Sequence, residues 1–269
     1  MIQIDAKEYV KSKNFNPSKK MGQNFLVNEN IITKIIESIS FDNVDTIIEI
    51  GPGLGALTKH LVNTNKPVIC IELDKRLYSE LKVKFKDVKN LTLINNDVLR
   101  EDFDLLTQNT GKTMIVSNLP YSISSLVIVK FLKCKNIDSM YCMLQKEMAQ
   151  RLIAKPRQKE YNSFSVLAQY QSSVKFLVDV NKNNFYPMPE VDSSFISISK
   201  NKPYEEQFDK FLKIIFSSKR KTLNNNLKAR FNSNEINSIF EQFNLLPTIR
   251  SEELNPQQIH DIFKFLNKG

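Results

Sequence analysis

Ile31, Ile32, Ile35, Ile36 and Ile39 recur at the spacing of one helical face, which predicts an amphipathic helix over 29–40. The pattern then changes. Short apolar, β-branched runs follow at 46–50, 68–71, 91–94, 113–116 and 140–144. Between them, 55–64, 75–86 and 122–133 are compatible with helix. Strands alternating with helices predict βαβ units and a parallel sheet. Unbroken apolar runs are what strands covered on both faces look like. Val174, Phe176, Val178 and Val180 alternate instead, and 195–198 do so less cleanly. Both segments are therefore predicted as antiparallel edge strands closing the sheet, joined by the turn-rich stretch 181–189.

From Asn201-Lys202-Pro203 onwards the helical period returns, with Phe208, Phe211, Leu212, Ile215 and Phe216 on one face. Ile236, Ile239 and Phe240 mark a second helix, and Ile259, Ile262, Phe263 and Leu266 a third. The chain thus divides into an α/β domain over 1–200 and a small all-helical domain over 201–269. Residues 1–21 are polar and basic and are expected to form an arm or a loose first helix.

A chain of 269 residues suits one large domain, or one with a smaller companion. Hydrophobic residues make up 41% and charged residues 25%, which excludes a wholly disordered chain. Lys and Arg number 38 against 29 Asp and Glu, so the net charge is 38 − 29 = +9. That excess points to a polyanionic partner, though a lysine-rich soluble surface would produce it equally well. Cys70, Cys134 and Cys142 have no CxxC spacing, and His60 and His260 are far apart in sequence. This argues against a disulfide framework, a cysteine zinc site and histidine-based catalysis, and no metal is expected. The first fifteen residues lack the apolar core of a signal peptide, and no run approaches the ~18 apolar residues of a membrane span. The cytoplasm is the expected location, with no membrane partner.

Glu49-Ile-Gly51-Pro-Gly53-Leu-Gly55-Ala-Leu57 follows a predicted strand and opens a predicted helix. Glycines there let the backbone turn tightly and approach a ligand closely. Glu72 ends the second strand, where a carboxylate can grip a ribose diol. Two cofactor classes fit, a dinucleotide and S-adenosylmethionine (SAM), and a turn without any ligand has the same outline. Glu49 favours SAM, because a carboxylate beside the glycines repels a pyrophosphate and attracts an ammonium and a sulfonium. Asp97 ends the third strand and could accept from an adenine amino group, although Asn96-Asp97 would also serve as a plain turn cap.

Asn118-Leu119-Pro120-Tyr121 follows the fourth strand, so it borders the same crevice. An exocyclic amine on adenine is a poor nucleophile because its lone pair is delocalised into the ring. The Asn118 oxygen and a backbone carbonyl, that of Leu119, could hold the amine and localise the pair. Pro120 stiffens the turn, and Tyr121 offers a stacking face. No general base is needed if the proton leaves after transfer.

With these residues the whole chain resembles the ribosomal RNA adenine N6-dimethyltransferases, the KsgA family. The resemblance is carried by Gly22-Gln-Asn-Phe-Leu26, the Glu49–Leu57 turn, Glu72-Leu-Asp74, Asn96-Asp97, Asn118–Tyr121 and Gln145-Lys-Glu147, in family order. Phe185-Tyr-Pro-Met-Pro-Glu-Val-Asp-Ser193 and the run from Phe216 to Lys228 complete it. It implies a Rossmann-like SAM-dependent methyltransferase sheet with a small C-terminal helical domain. It also implies a pocket lined by Gln23, Asn24, Leu26, Glu49, Gly51, Gly53, Glu72, Leu73, Asp97, Val98 and Asn118. Gly51 would face the methionine end of SAM, Glu72 the ribose and Asp97 the adenine.

Asn118 and Tyr121 would be the catalytic pair, and Phe185 would sandwich the target base against Tyr121. The implied substrate is a pair of adjacent adenosines in the 3′-terminal hairpin loop of small-subunit (16S) rRNA, within an immature 30S subunit. Each would receive two methyl groups, leaving S-adenosylhomocysteine, and the enzyme would act as a monomer. Lys19, Lys20, Lys219, Arg220, Lys221, Lys228 and Arg230 would hold the RNA backbone. The related erythromycin-resistance methyltransferases, which act on large-subunit RNA, share several of these motifs, and a ribosome assembly factor whose methyl transfer is incidental is a further alternative. The wording of Gly51–Leu57, Asn118–Tyr121 and Lys219–Lys228 favours the small-subunit family.

Overall fold

The computed structural model describes residues 6–18 and 21–267, so Lys19 and Lys20 lie outside the described residues. Strands in chain order are β1 (Phe25–Leu26), β2 (Thr46–Ile50), β3 (Val68–Glu72), β4 (Leu91–Asn95), β5 (Thr113–Asn118), β6 (Ile137–Gln145), β7 (Ser172–Val180), β8 (Phe185–Tyr186) and β9 (Ser193–Lys200). The helices of the α/β part are α1 (Ala6–Ser12), α2 (Glu29–Glu37), α3 (Thr58–Leu61), α4 (Lys75–Lys84), α5 (Phe103–Leu106) and α6 (Ser124–Lys133). Further on come α7 (Lys146–Ile153), α8 (Ser163–Gln171), α9 (Glu206–Ile215), α10 (Leu223–Leu227), α11 (Ser233–Gln242) and α12 (Pro256–Leu266).

The main sheet has the order β4-β3-β2-β5-β6-β9-β7, and β1 pairs with β8 in a separate ribbon. β2 is parallel to both β3 and β5, while β3–β4 and β5–β6 are also parallel pairs. From β2 the chain steps outwards through β3 and β4, then returns to lay β5 and β6 on the other side of β2. The strand order therefore reverses between β2 and β5, where open α/β sheets form a crevice beyond the carboxyl ends of their strands. Ile47, Ile48, Ile115 and Val116 are fully buried at this centre. Covered on both faces, these strands can be apolar at every position.

The antiparallel expectation holds for β9, which pairs antiparallel with β6. Its expected edge position is corrected, because β9 lies between β6 and β7, and of the two predicted edge strands β7 alone is at a rim. Phe195, Ile196 and Ile198 are fully buried, and Ser193 and Ser194 are buried too, as an interior strand requires. The predicted helix 29–40 forms as α2, capped by the Asn28 side chain, which accepts from the Asn30 and Ile31 amides. Such a cap satisfies orphan N–H groups of the first turn. Part of residues 1–21, Ala6–Ser12, forms the helix α1.

Two compact units emerge. One comprises residues 1–149 and 175–200, the other 150–174 and 201–269. The predicted boundary at 200 is thus incomplete, because 150–174 joins the C-terminal helices. The reason is specific contacts rather than local pattern. The Tyr161 hydroxyl donates to the Leu254 carbonyl at 2.9 Å, and the Tyr170 ring stacks on His260 at 4.1 Å between centroids. Nearly all of α8 is buried, so it has no polar face to betray a helical period.

Candidate functional site

The carboxyl ends of β2, β3 and β5 open onto a cavity of about 510 Å³. Residues 21–27 line one side of it, the turn 49–57 another, and 71–73, 96–98 and 118–123 the rest.

The turn after β2 works because of its glycines. Gly51 and Gly53 have φ of +64° and +59°, a region L side chains rarely adopt. A Cβ on Gly53 would also stand 3.2 Å from the Phe25 ring, tight enough that the ring would have to shift by a few tenths of an ångström. The Gly53 amide donates to Glu72 Oε2 at 3.1 Å, and the Asp74 amide to Oε1 at 2.8 Å. Each Glu72 oxygen thus takes one backbone donor and keeps lone-pair capacity for a ligand hydroxyl. Burial raises the Glu72 pKa, opposed by these two backbone bonds.

Glu49 is 2% exposed at the cavity floor. Its Oε2 accepts from the Thr58 hydroxyl at 2.6 Å and from the Cys70 thiol at 3.3 Å. Burial outweighs these bonds and lifts its pKa to about 7. A carboxylate so poorly solvated is stabilised by a cation arriving beside it. Lys84, whose Nζ donates to the Leu54 carbonyl at 2.9 Å, also lines the cavity; burial lowers its pKa to about 8.

Asp97 plays the cap that its sequence suggested. Its Oδ1 accepts from the Leu99 amide at 2.9 Å, while the residue also faces the cavity. The Asn95 side chain donates to the Glu72 carbonyl at 2.7 Å and so fixes the end of β3. Leu73, 52% exposed, and Val98, buried, complete this wall.

Asn118 ends β5, paired in register with Met143 of β6. Its Nδ2 donates to the Asn24 carbonyl at 3.1 Å. Tyr121 Oη and Ser193 Oγ are 2.6 Å apart, which anchors the phenol and holds the ring at the cavity wall. Burial raises the Tyr121 pKa, so it stays a neutral phenol.

The cavity gathers Gln23, Asn24, Leu26, Glu49, Gly51, Gly53, Glu72, Leu73, Asp97, Val98 and Asn118–Tyr121, all of which the sequence had singled out. Phe185 is the exception and its expected base-facing place is corrected. It pairs with Leu26 across the β1–β8 ribbon, is 3% exposed, and packs in the apolar core that includes Val180 and Phe195. Burying a phenyl ring in that core is worth about 1.5–3 kcal/mol, which explains its inward turn. Asp74, Ser193, Thr58 and Cys70 are not among the residues that the sequence pattern marks for the site. Asp74 and Ser193 lay in quoted motifs, but nothing local in the sequence tells that they brace Gln23 and Tyr121.

Lys219, Arg220, Lys221, Lys228 and Arg230 are all exposed in the second unit. They flank α10, and Lys219 Nζ donates to the Lys159 carbonyl at 2.7 Å.

The donor set fits SAM. Glu49 offers a buried anion for the cationic end, Glu72 a braced carboxylate for a diol, and Gly53 a bare backbone at positive φ closely packed against Phe25. A Rossmann-like sheet with this pocket at its switch point defines a SAM-dependent methyltransferase. Residues 14–268 match the family model described as ribosomal RNA adenine dimethylase, and the chain belongs to that family.

A relative from Malacoplasma penetrans, "Ribosomal RNA small subunit methyltransferase A", is 44% identical over 93% of this chain and 92% of its own. One of the same description from Clostridium botulinum is 38% identical over 95% and 96%. Among solved structures, a dimethyladenosine transferase from Plasmodium falciparum superposes with a TM-score of 0.79, at 26% identity, covering 91% of this chain and 98% of that one. The 23S rRNA methyltransferase ErmE shares the fold, with a TM-score of 0.70 at 22% identity over 91% and 100%. Among the described residues no helix is long and apolar enough to cross a membrane.

Proposed function

We propose that this protein dimethylates the N6 amino groups of two adjacent adenosines in the 3′-terminal hairpin loop of small-subunit rRNA, in an immature 30S subunit, in the cytoplasm. The observation that carries the reading is the orientation of Asn118. Its nitrogen is committed to the Asn24 carbonyl, so its oxygen is the acceptor presented to an incoming amine, on the cavity that Glu49, Glu72 and Asp97 share.

Bound SAM supplies an electrophilic methyl group on a sulfonium. The protein's own residues do the rest. Asn118 Oδ1 and the Leu119 carbonyl accept from the two amine hydrogens and direct the nitrogen lone pair out of the ring plane. Pro120 fixes the direction of the Leu119 carbonyl. Tyr121, tethered to Ser193, stacks the extruded base, worth about 1–3 kcal/mol. A loop adenosine is cheap to extrude because it starts unpaired. Nothing needs to take a proton before transfer, so positioning and electrostatics supply the rate. Lys219–Lys221, Lys228 and Arg230 are the phosphate contacts in this reading, with Lys19 and Lys20 adding to them. The preference for small-subunit RNA is supported by relatives that carry that substrate in their names.

The test is mass mapping of methylated adenines after incubation with SAM and either immature small subunits or large-subunit RNA. Two adjacent dimethylated adenosines in the small-subunit RNA are expected. Methylation confined to large-subunit RNA would overturn the reading.

A further inference from the structure

Gln23 reaches the cavity from a segment with little secondary structure of its own, only the two-residue β1. What holds it is Asp74. Gln23 Nε2 donates to Asp74 Oδ2 at 2.8 Å, and Gln23 Oε1 accepts from the Ser18 amide at 2.7 Å. The two bonds fix the amide in one orientation. Asp74 is itself locked. Arg76 clamps it through Nε at 3.0 Å and Nη2 at 2.7 Å, and its Oδ1 caps α4 by accepting from the Arg76 amide. The Arg76 guanidinium lies 4.2 Å over the Phe15 ring, and Phe15 packs with Tyr9 and Phe25. The Asp74 amide, at the same point, braces Glu72. One buried residue therefore touches the ribose-side carboxylate, the start of α4 and the segment that walls the cavity opposite.

We propose that Asp74 is a positioning residue that latches residues 21–27 across the cavity through Gln23, so that cofactor affinity depends on a carboxylate that is not part of the cavity lining. The inference rests on the SAM reading of the cavity. Burial raises the Asp74 pKa, but the bonds from Arg76 and Gln23 outweigh it and bring it down to about 2, so the latch stays charged at any working pH.

The chemistry supplies a discriminating pair of variants. In Asp74→Asn the Oδ1 cap and the Arg76 Nε bond survive, but an NH₂ group faces both Gln23 Nε2 and Arg76 Nη2. Flipping Gln23 cures the first clash only by turning its NH₂ against the Ser18 amide. Asp74→Asn combined with Gln23→Glu restores both bonds of residue 23 and keeps the net charge, leaving only the Arg76 Nη2 bond unmade. One oxygen of the new carboxylate then accepts from the Ser18 amide, and the other accepts from the new side-chain amide at position 74.

The experiment measures S-adenosylhomocysteine binding by calorimetry and amide hydrogen exchange over 22–27 in the ligand-free protein. For Asp74→Asn we expect affinity about ten- to a hundredfold weaker, the range for a lost bond to a charged group. Exchange over 22–27 should quicken, and kcat at saturating SAM should stay within about threefold while KM for SAM rises. The double variant should recover affinity and protection to within about threefold. Wild-type affinity and exchange in Asp74→Asn, or no recovery in the double variant, would overturn the latch. Should Asp74→Asn fail to fold, Gln23→Leu leaves the cap and the Arg76 clamp intact. It must show the same quickened exchange over 22–27 in the ligand-free protein, and wild-type exchange there also overturns the proposal. If the wild-type protein bound no S-adenosylhomocysteine, the cofactor reading would fall. The exchange comparison would still decide the latch.

Discussion

The Asn118 side-chain nitrogen donates to the backbone carbonyl of Asn24, 3.1 Å away and 94 residues earlier in the chain. A carbonyl accepts but cannot donate, so this contact settles which end of the Asn118 amide faces the cavity. The Asn118 side chain is thus oriented by the segment that forms the opposite wall of the cavity.

The first prediction follows from that contact. Asn118→Asp sets a carboxylate oxygen against the Asn24 carbonyl, and Asn118→Ala removes the acceptor. Both should lower single-turnover methyl transfer by about 10²–10³, the scale for one lost preorganised group. RNA binding, measured by filter retention, should stay within about threefold. Weakened RNA binding would show that Asn118 holds substrate rather than orienting the amine.

Tyr121 and Ser193 make a second pair. Tyr121→Ala should reduce transfer by about tenfold or more through lost stacking. Tyr121→Phe keeps the ring but strands the fully buried Ser193 hydroxyl, at a cost of about 1–3 kcal/mol in thermal or denaturant unfolding. A Tyr121→Phe protein as active as wild type yet measurably less stable is the expected pattern. Equal loss of activity in Phe and Ala variants would point to chemistry at the hydroxyl instead.

Phe185 separates packing from stacking. Being 3% exposed in the core, Phe185→Ala should destabilise the protein by about 3–5 kcal/mol. Phe185→Leu keeps most of the volume and should retain transfer to within about threefold. A well-folded Phe185→Leu protein that loses stacking-scale activity would restore the role that family resemblance implied.

Glu49 makes cofactor affinity depend on pH. Its folded pKa, about 7, lies above the usual 4.5. The folded protein therefore binds more protons than the unfolded chain between those values. The stabilising contribution of the protonated group is complete below pH 4.5 and is lost as pH rises through 7, on the order of 3 kcal/mol in all. A cationic ligand needs the ionised form. SAM affinity should hence rise about tenfold from pH 6 to pH 8, with proton uptake by the buffer seen in calorimetry. Glu49→Gln should flatten both dependences. A wild-type affinity indifferent to pH would contradict the assignment.

The second unit predicts a salt response. Replacing Lys219, Arg220 and Lys221 with Gln should lower the slope of log affinity for loop RNA against log salt by about 0.7 per lost phosphate contact. S-adenosylhomocysteine binding should be unaffected. An unchanged slope would remove these residues from the RNA surface.

Much of this was legible in the amino-acid order because it is local. Thr46–Ile50 reads as a strand covered on both faces, the glycine turn follows it, and Asn118–Tyr121 ends another strand. Placing strand ends of a doubly wound sheet together is a matter of topology, so the carboxylates and Asn118 could be assembled from pattern alone. What escaped depends on distant partners. β9 carries a half-polar pattern because its serines are buried, so it read as a rim strand. Residues 150–174 belong to the second unit through Tyr161 and Tyr170, which no periodicity reveals. The base-facing place of Phe185 came from the family resemblance alone, and its pairing with Leu26 and its burial in the core are set by partners distant in sequence. Asp74 stands in the Glu72-Leu-Asp74 motif, but its bond to Gln23 spans 51 residues and no local pattern reveals it.

The measurement that bears most directly on the pocket is calorimetric titration with S-adenosylhomocysteine and, separately, with NADPH. One S-adenosylhomocysteine per chain should bind the wild-type protein, Glu72→Ala should lose that binding, and NADPH should give no heat of binding. Tight NADPH binding, or S-adenosylhomocysteine bound equally well without the Glu72 carboxylate, would contradict the account.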